Sequence, residues 1–292
     1  MSLTRQVARA LLPRSWRNWL RAPAKSLHWL WDDGRYRLGA RANVEVWPGW
    51  SLVCHPAAWR CAYQAQATEP AQVRELAVFL AACTPGMRLL DAGAHFGVFS
   101  LAALHFGGPH ARAVAVDPSP SACRMLRIQA GLNGLSERLH VVQAALSDHV
   151  GTAPMIDLGP LAHGYYAPPN SPRPARELTP TRALTVDEVV TATGLDPTHL
   201  KVDVEGAEAA VLRGAQQTLA RATAPRLFLE LHNQLVREHG GDPAETLALL
   251  RTHGYACFAD DGTALEEPAI LAADLIRLRA MKAPPAGAGP GS

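Results

Sequence analysis

Charge is scarce in this 292-residue chain: Asp, Glu, Lys and Arg make up 18%, against about 25% in ordinary domains. That excludes a coiled coil, a charge-rich disordered chain and a histone-like polycation. A net charge of +2 gives no reason to expect a nucleic-acid partner. Cysteine is also thin. The five thiols (Cys54, Cys61, Cys83, Cys123, Cys257) are odd in number, form no C-x-x-C pair and have no histidines at zinc spacing. Reduced thiols in a reducing compartment are expected. No apolar run reaches the roughly 18 residues that cross a bilayer. Arg5 and Arg9 are followed too soon by Arg14 and Arg17 for a secretory signal, so a cytoplasmic location is expected.

What charge there is lies unevenly. Residues 1–42 hold nine Arg or Lys against Asp32 and Asp33, a net +7, which leaves −5 on the rest. All seven tryptophans, from Trp16 to Trp59, precede residue 60. Composition thus separates an N-terminal extension or capping region, residues 1–68, from a main domain over 69–282. The Ala/Pro/Gly tail at 283–292 can bury nothing and is expected to be disordered. The basic stretch with Trp16, Trp19, Trp29 and Trp31 has two readings. One is peripheral membrane contact through residues 1–42. The other, favoured because Pro13 and Pro23 break any long amphipathic face, is a capping subdomain that packs its tryptophans on the main domain.

Short helices are expected over 1–30, strand-like text over 43–60 and a helix over 70–83. Apolar strands then alternate with helices: strands at 88–91, 113–116, 139–146, 200–204 and 227–231, with helices at 98–106, 118–133, 207–220 and 242–254. Two last strands, 255–258 and 274–278, are expected to pair as an antiparallel edge hairpin. A proline-rich stretch at 153–180 reads as a long loop. Unbroken apolar strands between helices mean a sheet covered on both faces. The expected fold is a doubly wound α/β domain with a seven-stranded, mostly parallel sheet, plus a small N-terminal α+β extension.

Three strand ends carry chemistry. Leu89-Leu90-Asp91-Ala92-Gly93-Ala94-His95-Phe96-Gly97 turns a strand into a helix through small residues, and Asp117 ends the next strand, where a ribose-binding acid belongs in a nucleotide-binding unit. Gly93 is expected to let backbone approach a ligand, and Gly97 to let strand and helix pack closely. The turn lacks the second glycine of G-x-G-x-x-G, and Asp91 places an acid where a pyrophosphate would be repelled. A cationic, phosphate-free ligand such as S-adenosylmethionine fits better than a nicotinamide dinucleotide, the oxidoreductase alternative. Lys201-Val202-Asp203-Val204-Glu205-Gly206-Ala207-Glu208 ends the fourth strand. Asp203 is expected to share the crevice of the topological switch point with Asp91 and Gly93. Glu205 and Glu208 read equally well as favourable charge at a helix N-terminus. Glu230 and His232, two apart at the fifth strand end, fall on one side and suit proton transfer or metal binding.

The stretches LLDAGAHFGVFS, VAVDPSP, GLNGL, VVQAALSD, LTVDEVV, LKVDVEGAEAAVLRGA and LFLELH, spanning about 85–235, resemble the FkbM family of class I S-adenosylmethionine-dependent methyltransferases. The resemblance implies a Rossmann-like sheet, with Asp91, Gly93 and Gly97 around the methionine part of the cofactor, Asp117 on the ribose and residues 144–146 along the adenine. His95-Phe96 departs from the family's usual small polar and apolar pair. The cofactor site expected is therefore Asp91, Gly93, His95, Phe96, Gly97, Asp117, Pro118, Ala145 and Asp203. Asp203, Glu230 and His232 are the expected catalytic groups, with His232 titrating near the ordinary pH 6–7. The implied reaction is O-methylation of a sugar or secondary-metabolite hydroxyl, the acceptor being a small molecule or glycan. No metal motif is evident. A magnesium or manganese ion, if used, is expected on Asp203, Glu208, Glu230 and His232. A cofactor-binding scaffold without catalysis is the non-enzymatic alternative, and acids at three strand ends speak against it.

Overall fold

The computed structural model describes residues 23–156, 165–166 and 178–282. Trp16, Trp19, Pro13 and the 283–292 tail lie outside the described residues. Helix α1 (Pro23–Arg37) precedes a hairpin, β1 (Ala42–Trp47) and β2 (Trp50–Cys54), closed by a Pro48-Gly49 turn. Helical turns follow over 56–68, then α2 (Pro70–Ala81), which has Pro70 in its first turn and stops ahead of Pro85-Gly86.

The main sheet comprises β3 (Arg88–Ala92), β4 (Arg112–Asp117), β5 (Leu139–Gln143), β10 (His199–Val202), β11 (Arg226–Leu231), β12 (Tyr255–Phe258) and β13 (Ile276–Lys282). Their spatial order is β12-β13-β11-β10-β3-β4-β5. Every neighbouring pair is parallel except the two made by β13. The chain lays β3, β4 and β5 outward to one side, then returns to place β10 on the other side of β3. The switch point therefore falls between β3 and β10, as expected, and puts Gly93 and Asp203 side by side. The helices α3 (Val98–Phe106) and α4 (Pro120–Leu132) follow β3 and β4. Ser119 caps α4 by accepting from the Ala122 N–H.

Alternation along the strands fills both faces. Leu89, Ala113 and Ala115 belong to one core, Leu90, Val114 and Val116 to the other. The first core also contains Trp29, Val44, Val46, Trp50 and Leu52, so the N-terminal extension and the sheet share one apolar interior. The tryptophans do not all pack inward: Trp29 is buried, but Trp31 is 67% exposed.

Several boundaries differ from the expectation. The 139–146 run is two strands. β5 ends at Gln143, and β6 (Ala145–Leu146) leaves to pair with β9 (Leu178–Leu184) in a second sheet of order β6-β9-β7-β8, with β7 (Gly151–Ile156) and β8 (Tyr165–Tyr166). The expected 153–180 loop thus contains strands; residues 157–164 and 167–177 lie outside the described residues. After β9 comes α5 (Val186–Thr193). The 207–220 helix is divided into α6 (Glu208–Arg213) and α7 (Gln216–Ala220). At the break Gly214 packs against the Ser147 backbone, where a Cβ would stand 2.1 Å from the carbonyl oxygen. The last strand lies at 276–282 rather than 274–278, and it is interior; β12 is the edge.

Candidate active site

The turn after β3 is built on three left-handed residues, Gly93 (φ 80°), His95 (φ 48°) and Gly97 (φ 82°). A Cβ on Gly93 would stand 1.8 Å from the Asp203 carbonyl oxygen, so this glycine admits the neighbouring strand end. Gly97 does admit helix packing: its Cβ would strike Leu126 of α4 at 1.9 Å. Histidine is among the residue types that tolerate a left-handed backbone. His95 donates its N–H to Asp117 Oδ2 at 2.8 Å, and its ring stacks on Phe96 at 4.0 Å. Tyr63 from the N-terminal extension donates its buried hydroxyl to the Phe96 carbonyl at 2.8 Å.

Asp91 and Asp117 have different situations. Asp91 is buried beneath the turn, where Oδ2 accepts from Ser100 Oγ at 2.6 Å and ties β3 to α3. Burial pushes its carboxyl up to about 6, against the opposing pull of the Ser100 hydrogen bond and the Lys201 charge. Asp117 stands on the cavity wall, with Oδ1 accepting from the Ser119 N–H and Oδ2 from the His95 N–H, both at 2.8 Å.

Acids converge at the ends of β10 and β11. His232 Nδ1 lies 2.8 Å from Glu208 Oε1, which also accepts the Gly206 N–H at 3.0 Å. The other ring nitrogen, Nε2, lies 3.4 Å from Glu205, 3.9 Å from Asp203 and 4.0 Å from Glu230. Glu205 reaches it from a left-handed backbone, φ 53°. Burial acts to lower the His232 imidazole, but the Glu208 hydrogen bond and the Glu208, Glu205 and Asp203 charges outweigh it and hold it at about 9. The ordinary imidazole expected from sequence is therefore corrected to one that is protonated at neutral pH. Glu230 is pushed up to about 7 by burial and by the Asp203 and Glu75 charges. A cation chain backs these acids. Arg277 contacts Glu230 at 2.5 Å and Glu75 at 2.9 Å, and the buried Lys201 contacts Glu75 at 3.0 Å and Asp203 at 3.6 Å.

The turn after β3 and the carboxylates Asp203, Glu205 and Glu230 border a cavity of about 300 Å³, within the usual range for small-ligand sites. Of the expected cofactor residues, Gly93, His95, Phe96, Gly97, Asp117, Pro118, Ala145 and Asp203 line it, and Asp91 does not. Asp203 and Glu230 line it too, whereas His232 stands behind them. Val116, Ala144, Leu146 and Met155 add apolar surface to the lining, and Asp203, Glu205 and Glu230 add carboxylates. Sequence reasoning missed the wall from α2 and its approach (Gln66, Gln72, Glu75) and from β13 (Arg277). The only available signal was a pair of arginines alternating with apolar residues in the final strand. For a metal, Asp203, Glu205 and His232 each offer one ligand atom, all within 4.8 Å of one another. Glu208 and Glu230, named from sequence, are engaged by His232 with Gly206 and by Arg277 respectively.

A doubly wound sheet with one antiparallel strand near its edge, a glycine turn at the switch point and an acid at the end of the second strand define a class I S-adenosylmethionine-dependent methyltransferase. The methyltransferase FkbM domain matches residues 91–257. The chain belongs to the FkbM methyltransferase family, and S-adenosylmethionine is its cofactor. No curated protein matches it. Among solved structures it is similar to a SAM-dependent O-methyltransferase from Thermotoga maritima, with 13% identity, TM-score 0.42, and 80% of this chain and 73% of that one covered. It is also similar to an O-methyltransferase from Bacillus cereus in complex with SAH, with 12% identity, TM-score 0.41, and 77% and 86% covered. A precorrin-6y C5,15-methyltransferase from Geobacter metallireducens matches at 13% identity and TM-score 0.40, with 73% and 87% covered.

Asp117→Ala is expected to weaken S-adenosylhomocysteine binding by roughly 1.5–3 kcal/mol, the scale for losing hydrogen bonds to a charged group. Titration calorimetry measures this directly. Unchanged affinity would remove Asp117 from the cofactor site.

Proposed function

We propose that the chain transfers the cofactor's methyl group to a hydroxyl of a polar small molecule or glycan. The observation that carries this reading is the wall facing the cofactor side: Gln66, Gln72, Glu75, Asp203, Glu230 and Arg277 offer hydrogen-bonding groups in both directions, as a polyhydroxylated acceptor requires. The acceptor oxygen forms a bond to the methyl carbon as the sulfur–carbon bond breaks, and the hydroxyl proton passes to the acid–imidazole cluster. Asp203 and Glu230 meet the acceptor, and His232 holds charge and proton behind them. Asp117 and Pro118 border the ribose, Gly93, His95, Phe96 and Gly97 the methionine part, and Ala145 the adenine. The test is mass spectrometry of products from a panel of sugars and hydroxylated metabolites. An added methyl on oxygen supports the reading; methylation confined to nitrogen or carbon overturns it.

One observation favours a metal-assisted variant of the same reaction: Asp203, Glu205 and His232 can converge on one cation. Such an ion would need His232 to release its proton, since only neutral imidazole ligates. In this variant, turnover vanishes with a chelator and returns with magnesium or manganese. Turnover indifferent to chelator assigns the step to the side chains alone.

A further inference from the structure

Helix α1 is docked by one side only. Trp29 is buried against Phe96 and His55, and the His55 ring is stacked between Trp29 and Tyr36. Asp33 is held by Arg124 at 2.8 Å and Arg37 at 2.9 Å, and Asp32 faces Arg60 at 3.4 Å. The other side is apolar and open to solvent. Leu27 is 66% exposed, Leu30 54%, Trp31 67%, and Leu38, just past the helix end, 91%. At helical spacing, positions 27, 30, 31 and 38 form one stripe, opposite positions 29, 32, 33 and 36. Arg35 and Arg37 fall on its two edges, with side chains 49% and 73% exposed.

We propose that this face of α1 lies on an anionic lipid surface. An apolar stripe with a tryptophan, bordered by arginines, is the chemistry of a helix lying in a bilayer interface. Charge selects the occupant. Both acids of residues 1–42 are on the buried side of the helix, so the outward side presents only positive charge. The net +7 of residues 1–42 stands against −5 for the rest, which directs this end of the molecule toward negative headgroups. A second copy seated on the stripe would set Arg35 and Arg37 against the same residues.

The test uses the full chain with phosphatidylcholine vesicles, with and without phosphatidylglycerol. Sedimentation with the anionic vesicles is expected, weakening as salt rises. Leu30→Glu together with Trp31→Glu is expected to lower vesicle affinity by at least about tenfold, with S-adenosylhomocysteine binding retained as the sign of a folded chain. Should that pair misfold, Leu38→Glu, at the most exposed position, is expected to shift binding the same way. Three results overturn the proposal. One is no binding to anionic vesicles. Another is binding that these variants leave intact. The third is a concentration-dependent dimer that the variants abolish in a chain that ignores vesicles, which assigns the stripe to a second copy.

Discussion

Replacing His232 with alanine is expected to lower methyl-transfer turnover on the order of 10²–10⁴-fold, the range for losing a positioned acid–base group, with cofactor affinity kept. The ring stands within 4.0 Å of four carboxylates, three of them on the cavity wall. Without it, Asp203 and Glu230 lose their nearest imidazolium. The pH profile identifies the proton acceptor. Below its pKa of about 9 the imidazole already holds a proton, so if it is the acceptor, activity climbs with pH through that value. An acid limb near 7 instead gives the role to Glu230, pushed up to about 7. Stability follows the raised imidazole as well. Its folded-state value lies above the ordinary 6.5, so its contribution is fully present below about 6.5 and lost as pH rises through about 9. The alanine variant is expected to lack that alkaline loss in a pH series of thermal melts. Turnover unchanged in His232→Ala would remove the residue from the reaction.

Gly93→Ala is expected to cost about 2–6 kcal/mol of stability, combining overpacking with a left-handed backbone, and to abolish cofactor binding at ordinary concentrations. The added methyl meets the Asp203 carbonyl oxygen at 1.8 Å, and neither strand end can retreat without opening the switch point. Gly108→Ala is the control. Its φ is 73°, but nothing lies within 4 Å of the new carbon, so only backbone strain is paid there. Equal melting shifts for the two variants would show that the close approach of β3 and β10 does not matter.

The sheet was legible because burial on both faces writes itself into unbroken apolar strands such as Ala113 to Val116, and because Asp117 and Asp203 mark where those strands stop. What escaped was pairing. The stretch from Leu139 to Leu146 reads as one strand, and nothing in it says that Gln143 pairs with Asp117 while Ala145 pairs with Ala183. The prolines at 154 and 180 read as loop, yet they sit opposite each other in the β7–β9 ladder. The cofactor turn could be seen because its residues are local in sequence. The opposing wall could not: Arg277 and Glu75 are 202 residues apart, and neither belongs to a motif. The altered titration of His232 also came from a third party, Glu208, whose carboxylate looked like helix-terminus charge.

The placement of β13 has a consequence for how the molecule comes into being. It is the last described strand to leave the ribosome, yet it fills the slot between β11 and β12. Until it arrives, β11 has one open edge and β12 has no neighbour to join, the state most prone to wrong pairing. The nascent chain can already form the glycine turn, Asp117 and Asp203, but Glu230 and Glu75 have no Arg277 between them. Until residues 276–282 take their place between β11 and β12, the cavity wall that carries Arg277 is incomplete.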